Sequence, residues 1–364
     1  MIALLLCLLL APPAAFPAGA EAIQLTRPWT RVCEVSPDAE YVLEDGDLKP
    51  VRGFFAFSPP GAAALVPSIS VPAEAAPGAP VRVRVLVAEP LESLSVTLQD
   101  SKSRPLARVS VFKLPSAEGQ GEQWAALAGV PSTAAPGSYL LEVNGSRGER
   151  SFLLRAQLAV AARAFPAETI SLTGPLSALR ATPDARKTEE ARELARVLGL
   201  ADPGAVHETG RLVLPVAGEW RRTGSYGDRR RYRYSDGGVD ATVHNGLDMA
   251  ALEGTPVAAA GKGRVVLSAE RIMTGRTVVV EHLPGVFSIY YHLSAALVAQ
   301  GDILEAGQAL GKVGMTGFAT GNHLHWEVQV LGTPVDPESF VRQALLDTSS
   351  GFGDIQGHTG SEGR

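Results

Sequence analysis

Cysteine is almost missing from this chain, with only Cys7 and Cys33 among 364 residues. Cys7 lies in an apolar run at the N-terminus. If that run is removed on export, one thiol remains, no internal disulfide can form, and the fold must stand on packing or on a metal. Cys33 then reads as a small buried apolar residue. An excess of basic charge is missing as well: 33 Lys and Arg against 38 Asp and Glu leave a net charge of -5. Such a chain lacks the positive field that draws a protein to nucleic acid. Past residue 22 no apolar run is long enough to cross a bilayer as a helix. There is no Gly-rich phosphate loop and no Gly-x-Ser-x-Gly elbow. The pair His207-Glu208 is not followed by a histidine four residues after the first, so the helical zinc-peptidase motif is absent too.

What is present is an ordinary globular composition, 45% hydrophobic and 20% charged, at a length that suggests two or three domains. The opening "MIALLLCLLLAPPAAFPAGAEA" is a short leucine-rich run followed by small residues, with Ala18 and Ala20 in the Ala-x-Ala arrangement of a cleaved leader. It implies export to the periplasm or cell envelope with cleavage near Ala20. A retained N-terminal anchor is the competing reading. Residues 21–70 form an extension in which "FSPPGAAALVPS" breaks regular structure.

Residues 71–165 alternate with period two. Val81, Val83, Val85 and Val87 share one face and Arg82 and Arg84 the other; Leu94, Val96 and Leu98 repeat the pattern, and Asn144-Gly145 is a turn signal. Short strands at this spacing predict an immunoglobulin-like β-sandwich. In the linker, residues 166–210, a helix is expected from Thr182 as N-cap through Pro183 and Asp184 to Gly199, with Ala191, Leu194, Val197 and Leu198 as its apolar stripe. Residues 211–342 return to glycine-dense β signals. There "GTPVAAAGKGRVV" (254–266) and "GDILEAGQALGKVG" (301–314) look like a loose internal repeat, as in a small antiparallel barrel or sandwich. The fold class is thus mainly β. Residues 343–364, which include His358, are polar, glycine-rich and expected to be disordered.

Seven histidines are present in all, and two of them flank one leucine in "GNHLHWEV". In an extended strand His323 and His325 project from the same face, about 7 Å apart at roughly 3.3 Å per residue. Upstream, "VHNGLDMAA" supplies His244 and Asp248 at an even separation that would keep both on one strand face, with Gly246 allowing a bend. His244, Asp248 and His325 make three ligands for a tetrahedral zinc whose fourth position stays open to water. His323 can take the water proton, and His292, ending "VFSIYYHL", can donate to a developing oxyanion. His282 reads as a strand-end residue and Asp336 as a turn former before a short final helix.

This constellation, with "GTPVAAAGKGRVV" and "GDILEAGQALGKVGMTG" between its parts, resembles the lysostaphin-type zinc metallo-endopeptidases of peptidoglycan. The similarity spans about 130 C-terminal residues. It implies one Zn2+ held by His244, Asp248 and His325, a catalytic pair His323 and His292, peptidoglycan peptides as substrate, and a narrow groove over the metal. Some relatives with degenerate sites bind and activate cell-wall amidases instead, which would make an envelope protein the partner. Two departures stand out: Tyr291 occupies a position commonly glycine or alanine, and "GSYGDRRRYRYSDGGVD" (224–240) precedes the first ligand, its arginines reading as a solvated loop or as the mouth of a groove. A third class, a lipoyl or biotinyl carrier modified at Lys262, is opposed by the leader. For the sandwich three tasks stay open: binding wall polymer, covering the groove or acting as a spacer.

Overall fold

The computed structural model describes residues 67–346 apart from 88, 101, 116–120 and 149, together with three short upstream strands, Tyr41–Glu44, Asp47–Pro50 and Phe55–Phe57. The leader, both cysteines, the Pro59-Pro60-Gly61 break and the tail from 347 onward, with His358, lie outside the described residues. Mainly β structure results. In the N-terminal half, Ser68–Ser70, Pro80–Val87, Glu122–Gly129 and Val109–Leu114 form a four-stranded sheet. It packs on a second sheet built from Phe55–Phe57, Arg150–Val160, Gly137–Arg147 and Ser93–Gln99, with Glu74–Ala75 alongside. Val81, Val83, Val85, Val87, Val96 and Leu98 all enter the core between the two sheets, as their period-two spacing requires. Asn144-Gly145 is not a turn. Both residues lie inside the strand Gly137–Arg147, and a Cβ on Gly145 would come within 2.4 Å of the Phe152 ring, so this glycine serves cross-strand packing.

The opposite face of the four-stranded sheet is not solvated. Phe112, Leu114, Ala125 and Leu127 join the C-terminal core beside Leu212, Trp326, Val335 and Phe340. Arg82, read from sequence as an outward residue, is 9% exposed, lies 5.1 Å over the Phe340 ring and donates to the Leu345 carbonyl at 2.9 Å. Leu345 and Leu346 are themselves buried, so ordered chain runs past the 343 boundary expected for a disordered tail. Fully burying a large apolar side chain is worth about 1.5–3 kcal/mol, so Phe112, Leu114 and Leu127 together rival the stability of a typical domain. Phe112→Ala should lower the unfolding free energy by about 3–5 kcal/mol, read as a shifted denaturant midpoint with activity retained in the folded fraction.

The C-terminal part centres on an antiparallel sheet in the order Arg221–Gly224, Gly246–Ala250, His323–Val330, Val286–Leu293, Gly275–Leu283, Gly263–Arg271 and Ile303–Leu304, with Thr333–Val335 paired onto His323–Val330. The repeated segments pair with one another: Pro256–Ala258 lies against Ala309–Lys312, and Gly263 and Arg264 against Leu304 and Ile303. The linker is more structured than its sequence suggests. Strand Ala167–Ser171 runs parallel to Arg229–Arg233, and helix Gly174–Ala181, not foreseen from the sequence, begins with Pro175 in its first turn, where a missing N–H is harmless. The expected helix spans Ala185–Leu198 and is capped by Asp184, whose side chain accepts from the Arg186 N–H, rather than by Thr182. Its Leu194 and Leu198 cover Leu267, Val279 and Ile289 on the outer sheet face.

His282 is next to last in the strand Gly275–Leu283, as expected, and is wholly buried there, bonded to the Lys262 carbonyl and to Ser288 Oγ at 2.7 Å each. Burial pushes its pKa down to about 4, below the ordinary value near 6.5. Because the folded value is the lower one, the unfolded chain binds a proton that the native chain refuses between about pH 6.5 and 4. Stability therefore falls as pH drops through that window, by roughly 3 kcal/mol from this residue. Denaturant midpoints across the window should decline less steeply in His282→Gln than in the parent.

Candidate metal centre

Strand register builds the site. Asp248, in Gly246–Ala250, stands opposite His325 of His323–Val330, and Tyr291 flanks His325 from the other side. His323 follows the same alternation one pair away, opposite Ala250. His244 is not on the strand of Asp248. It sits in the two-residue connection between Val239–Val243 and Gly246–Ala250, so the pair converges because the chain turns between them. Gly246 has a different task from the expected bend: a Cβ there would lie 2.3 Å from the Trp326 carbonyl oxygen, so glycine permits the close approach of the two strands.

Hydrogen bonds fix which nitrogens are free. His244 Nδ1 is 2.7 Å from the Ser225 carbonyl, which can only accept, so Nδ1 carries the proton and Nε2 a lone pair. His325 Nε2 is 2.8 Å from Glu327 Oε1, a carboxylate that likewise accepts, so Nδ1 carries the lone pair. Those two nitrogens are 2.8 Å apart, and Asp248 Oδ1 lies 2.9 Å from the first and 2.7 Å from the second. Three electron-rich atoms converge in a pocket where the residues are 4%, 4% and 9% exposed. Neutral imidazoles leave no proton between these atoms, and a positive charge must fill the gap.

The pKa directions agree. Burial alone would lower that of His325, but Asp248 and Glu327 raise it to about 9. Burial would raise that of Asp248, yet the close approach of His244 and His325 holds it well below the carboxylate range. A divalent cation in place of the proton satisfies all three atoms, and two imidazoles with one carboxylate are the donor set of an open zinc site.

His323 and His292 face the same space, their ring centroids 4.9 Å apart. His323 Nδ1 donates to the Gly321 carbonyl at 2.8 Å, leaving Nε2 bare 3.7 Å from Asp248 Oδ1. His292 Nδ1 donates to the Thr316 carbonyl at 2.8 Å, so its Nε2 is bare as well. Burial lowers the pKa of His323, and burial together with His323 and His325 pushes that of His292 down to about 3. Both rings are therefore neutral proton acceptors near pH 7, and His292 can donate to an oxyanion only after it has taken a proton. His292 also has φ +61, in the left-handed region, with its N–H bonded to the Thr274 carbonyl at 2.9 Å. Such a conformation in a non-glycine residue costs about 1–3 kcal/mol and is held by the surrounding structure.

Around these residues runs a groove of about 710 Å³, lined by Glu168, Ile170 and Arg180 from the linker and by Met273 and Thr274. Tyr291 stacks on His325 at 5.3 Å and is 5% exposed, packed beneath the site. The arginine-rich stretch is not a solvated loop. Arg229–Arg233 is a strand in which Arg230 and Tyr232 are buried while Arg231 and Arg233 face outward. Arg230 lines the groove, the second of the two readings given to this stretch; Glu168 and Glu327 were missed, although the period of two in "HLHWE" carries the placement of Glu327.

Several other candidates fall outside the site. His207 is half-buried, with its N–H on the His282 carbonyl. Asp336 Oδ1 accepts the Glu338 N–H at the head of helix Glu338–Arg342, and Oδ2 pairs with Arg163 at 2.9 Å. Lys262, the residue a carrier would modify, pairs with Glu305. Among the described residues no helix is long and apolar enough to cross a membrane.

Residues 242–337 match Peptidase family M23. The chain is 42% identical over 97 residues to the DD-carboxypeptidase/endopeptidase Mpg of Neisseria meningitidis, covering 27% of this chain and 22% of that protein. It is 38% identical over 122 residues to the peptidoglycan DD-endopeptidase ShyA of Vibrio cholerae, covering 34% and 28%. Among solved structures, the catalytic domain of a prophage-encoded M23 protein from Enterococcus faecalis is 31% identical over 34% of this chain and 95% of that one, with a TM-score of 0.30. The chain thus spans about a quarter of the length of these two curated relatives.

Proposed function

Through its C-terminal domain the chain belongs to peptidase family M23, and from that membership and the three converging donors we propose that it is a zinc-dependent endopeptidase cutting peptide bonds of peptidoglycan. The observation that carries the reading is the lone-pair cluster of His244 Nε2, Asp248 Oδ1 and His325 Nδ1. These residues would hold one Zn2+. When bound, zinc supplies a Lewis acid that polarises a carbonyl and brings the pKa of a held water to about 7.

The remaining work falls to the protein. Glu327 and the Ser225 carbonyl fix the tautomers of the two ligating imidazoles. His323 Nε2, bare and neutral, takes the proton of the attacking water. His292 Nε2 is the second acceptor; once protonated it becomes a donor toward the oxyanion. Linker residues Glu168, Ile170 and Arg180 make the groove a channel in which an extended peptide can be oriented. The names of the relatives point to a bond between D-configured residues of the cross-link.

The same reading includes an N-terminal leader that sends the chain to the periplasm or envelope, an immunoglobulin-like unit and the C-terminal catalytic domain. It also places the sandwich as a fixed support of the catalytic domain, because the two share core residues. The alternative is a non-cutting activator of cell-wall amidases. It is disfavoured by the intact set His244, Asp248, His292, His323 and His325.

Full-length protein incubated with purified cross-linked muropeptides should release fragments, and chelator should stop the release. Mass spectrometry of the fragments names the bond. Protein that binds zinc and leaves the muropeptides whole while stimulating an amidase would reverse the order of the two readings.

A further inference from the structure

Arg230 approaches the centre from behind. Its Nη2 donates to Asp248 Oδ2 at 2.7 Å, the oxygen turned away from His244 and His325, and its Nε donates to Glu168 Oε1 at 2.8 Å. Glu168 belongs to the linker strand Ala167–Ser171 and stands in register with Arg230. Space for the guanidinium exists because residue 224 is glycine: a Cβ there would lie 2.0 Å from Arg230 Nη2 and 2.6 Å from Asp248 Oδ2. Gly224 is also the strand partner of Asp248. Arg230 is 9% exposed, so its bond to the carboxylate competes with little water.

We propose that Arg230, held in place by Glu168, is a positioning residue that restricts Asp248 to a single-oxygen metal ligand. A carboxylate with both oxygens free can rotate or bind an ion through both. One whose Oδ2 is tied to a guanidinium presents only Oδ1, which keeps the coordination number low and a position open for solvent. The linker strand thereby becomes part of the metal site, two bonds removed from the ion. This inference rests on the zinc reading above.

The test uses the full-length protein loaded with Co2+, whose visible absorption is intense in four-coordinate sites and weak at higher coordination. The parent should show the intense bands. In Arg230→Gln the bands should weaken by about half or more as the freed oxygen joins the ion, with kcat falling about 10-fold or more and KM little changed. Arg230→Lys should recover part of both, since an amine can hold one oxygen but lacks the rigid fork that also meets Glu168. Glu168→Gln, whose side chain is 40% exposed and whose folding is not at risk, should move the spectrum the same way by less. Bands like those of the parent in both Arg230→Gln and Glu168→Gln, whatever their melting temperatures, would overturn the inference while leaving the zinc reading intact. Absence of four-coordinate bands in the parent would overturn both.

Discussion

His325→Ala should release the metal and with it the activity. Structural zinc sites with four ligands bind with about 10–16 kcal/mol, so each ligand carries about 3–4 kcal/mol, and its loss weakens binding by roughly 10²–10³-fold. The same substitution strips Asp248 and Glu327 of the partner they share. Competition against a chromogenic chelator measures the affinity, and muropeptide cleavage at limiting zinc measures the consequence. Affinity in the unmodified protein should also depend on pH. Asp248 and Glu327 raise the pKa of His325 to about 9, so the metal must displace a proton from that ring, and binding should tighten by about tenfold per pH unit toward that value and then level off. A variant that kept zinc with parental affinity would remove His325 from the ligand set.

His323→Ala should give the opposite separation: zinc retained, turnover lost. Removing a general base that sits beside the reacting water costs about 10²–10⁴-fold in kcat, while the three ligand atoms and the groove walls stay in place. KM should change little, because His323 is 14% exposed in its side chain and sits at the floor. Burial holds the pKa of His323 below its ordinary value, so this ring takes up a proton only at a lower pH than a free imidazole does. The acid limb of kcat/KM in the parent should therefore lie on the acidic side of a free imidazole. Equal losses of zinc and turnover in this variant would mean that His323 binds the ion.

How far the sequence could be read depended on the range of the signal. Alternation is local, and it placed His323 beside His325 and put Val81, Val83, Val85 and Val87 on one face. Asp248 and His325 could be paired in kind but not in register, because pairing across 77 residues leaves no trace in either segment alone. The route by which His244 reaches them was misjudged for a related reason: an even spacing looks like strand alternation until the backbone turns, and here it turns at His244 and Asn245. Arg230 stood between two readings, solvated loop and groove mouth, since charge dominates composition in "RRRYR"; alternate burial is the stronger determinant once Glu168 and Asp248 neutralise the cation. Leu345 and Leu346 were lost to a tail for want of a partner. That partner, Arg82, lies more than 260 residues upstream.

Ala125 and Ala126 are neighbours in sequence, yet one faces the C-terminal core and the other the core between the two N-terminal sheets. A party wall of this kind cannot be removed from one house without opening the other. The two halves should melt in a single calorimetric transition, and a graft that moved the C-terminal domain alone onto another protein would have to bring this wall along or resurface the side that it leaves bare.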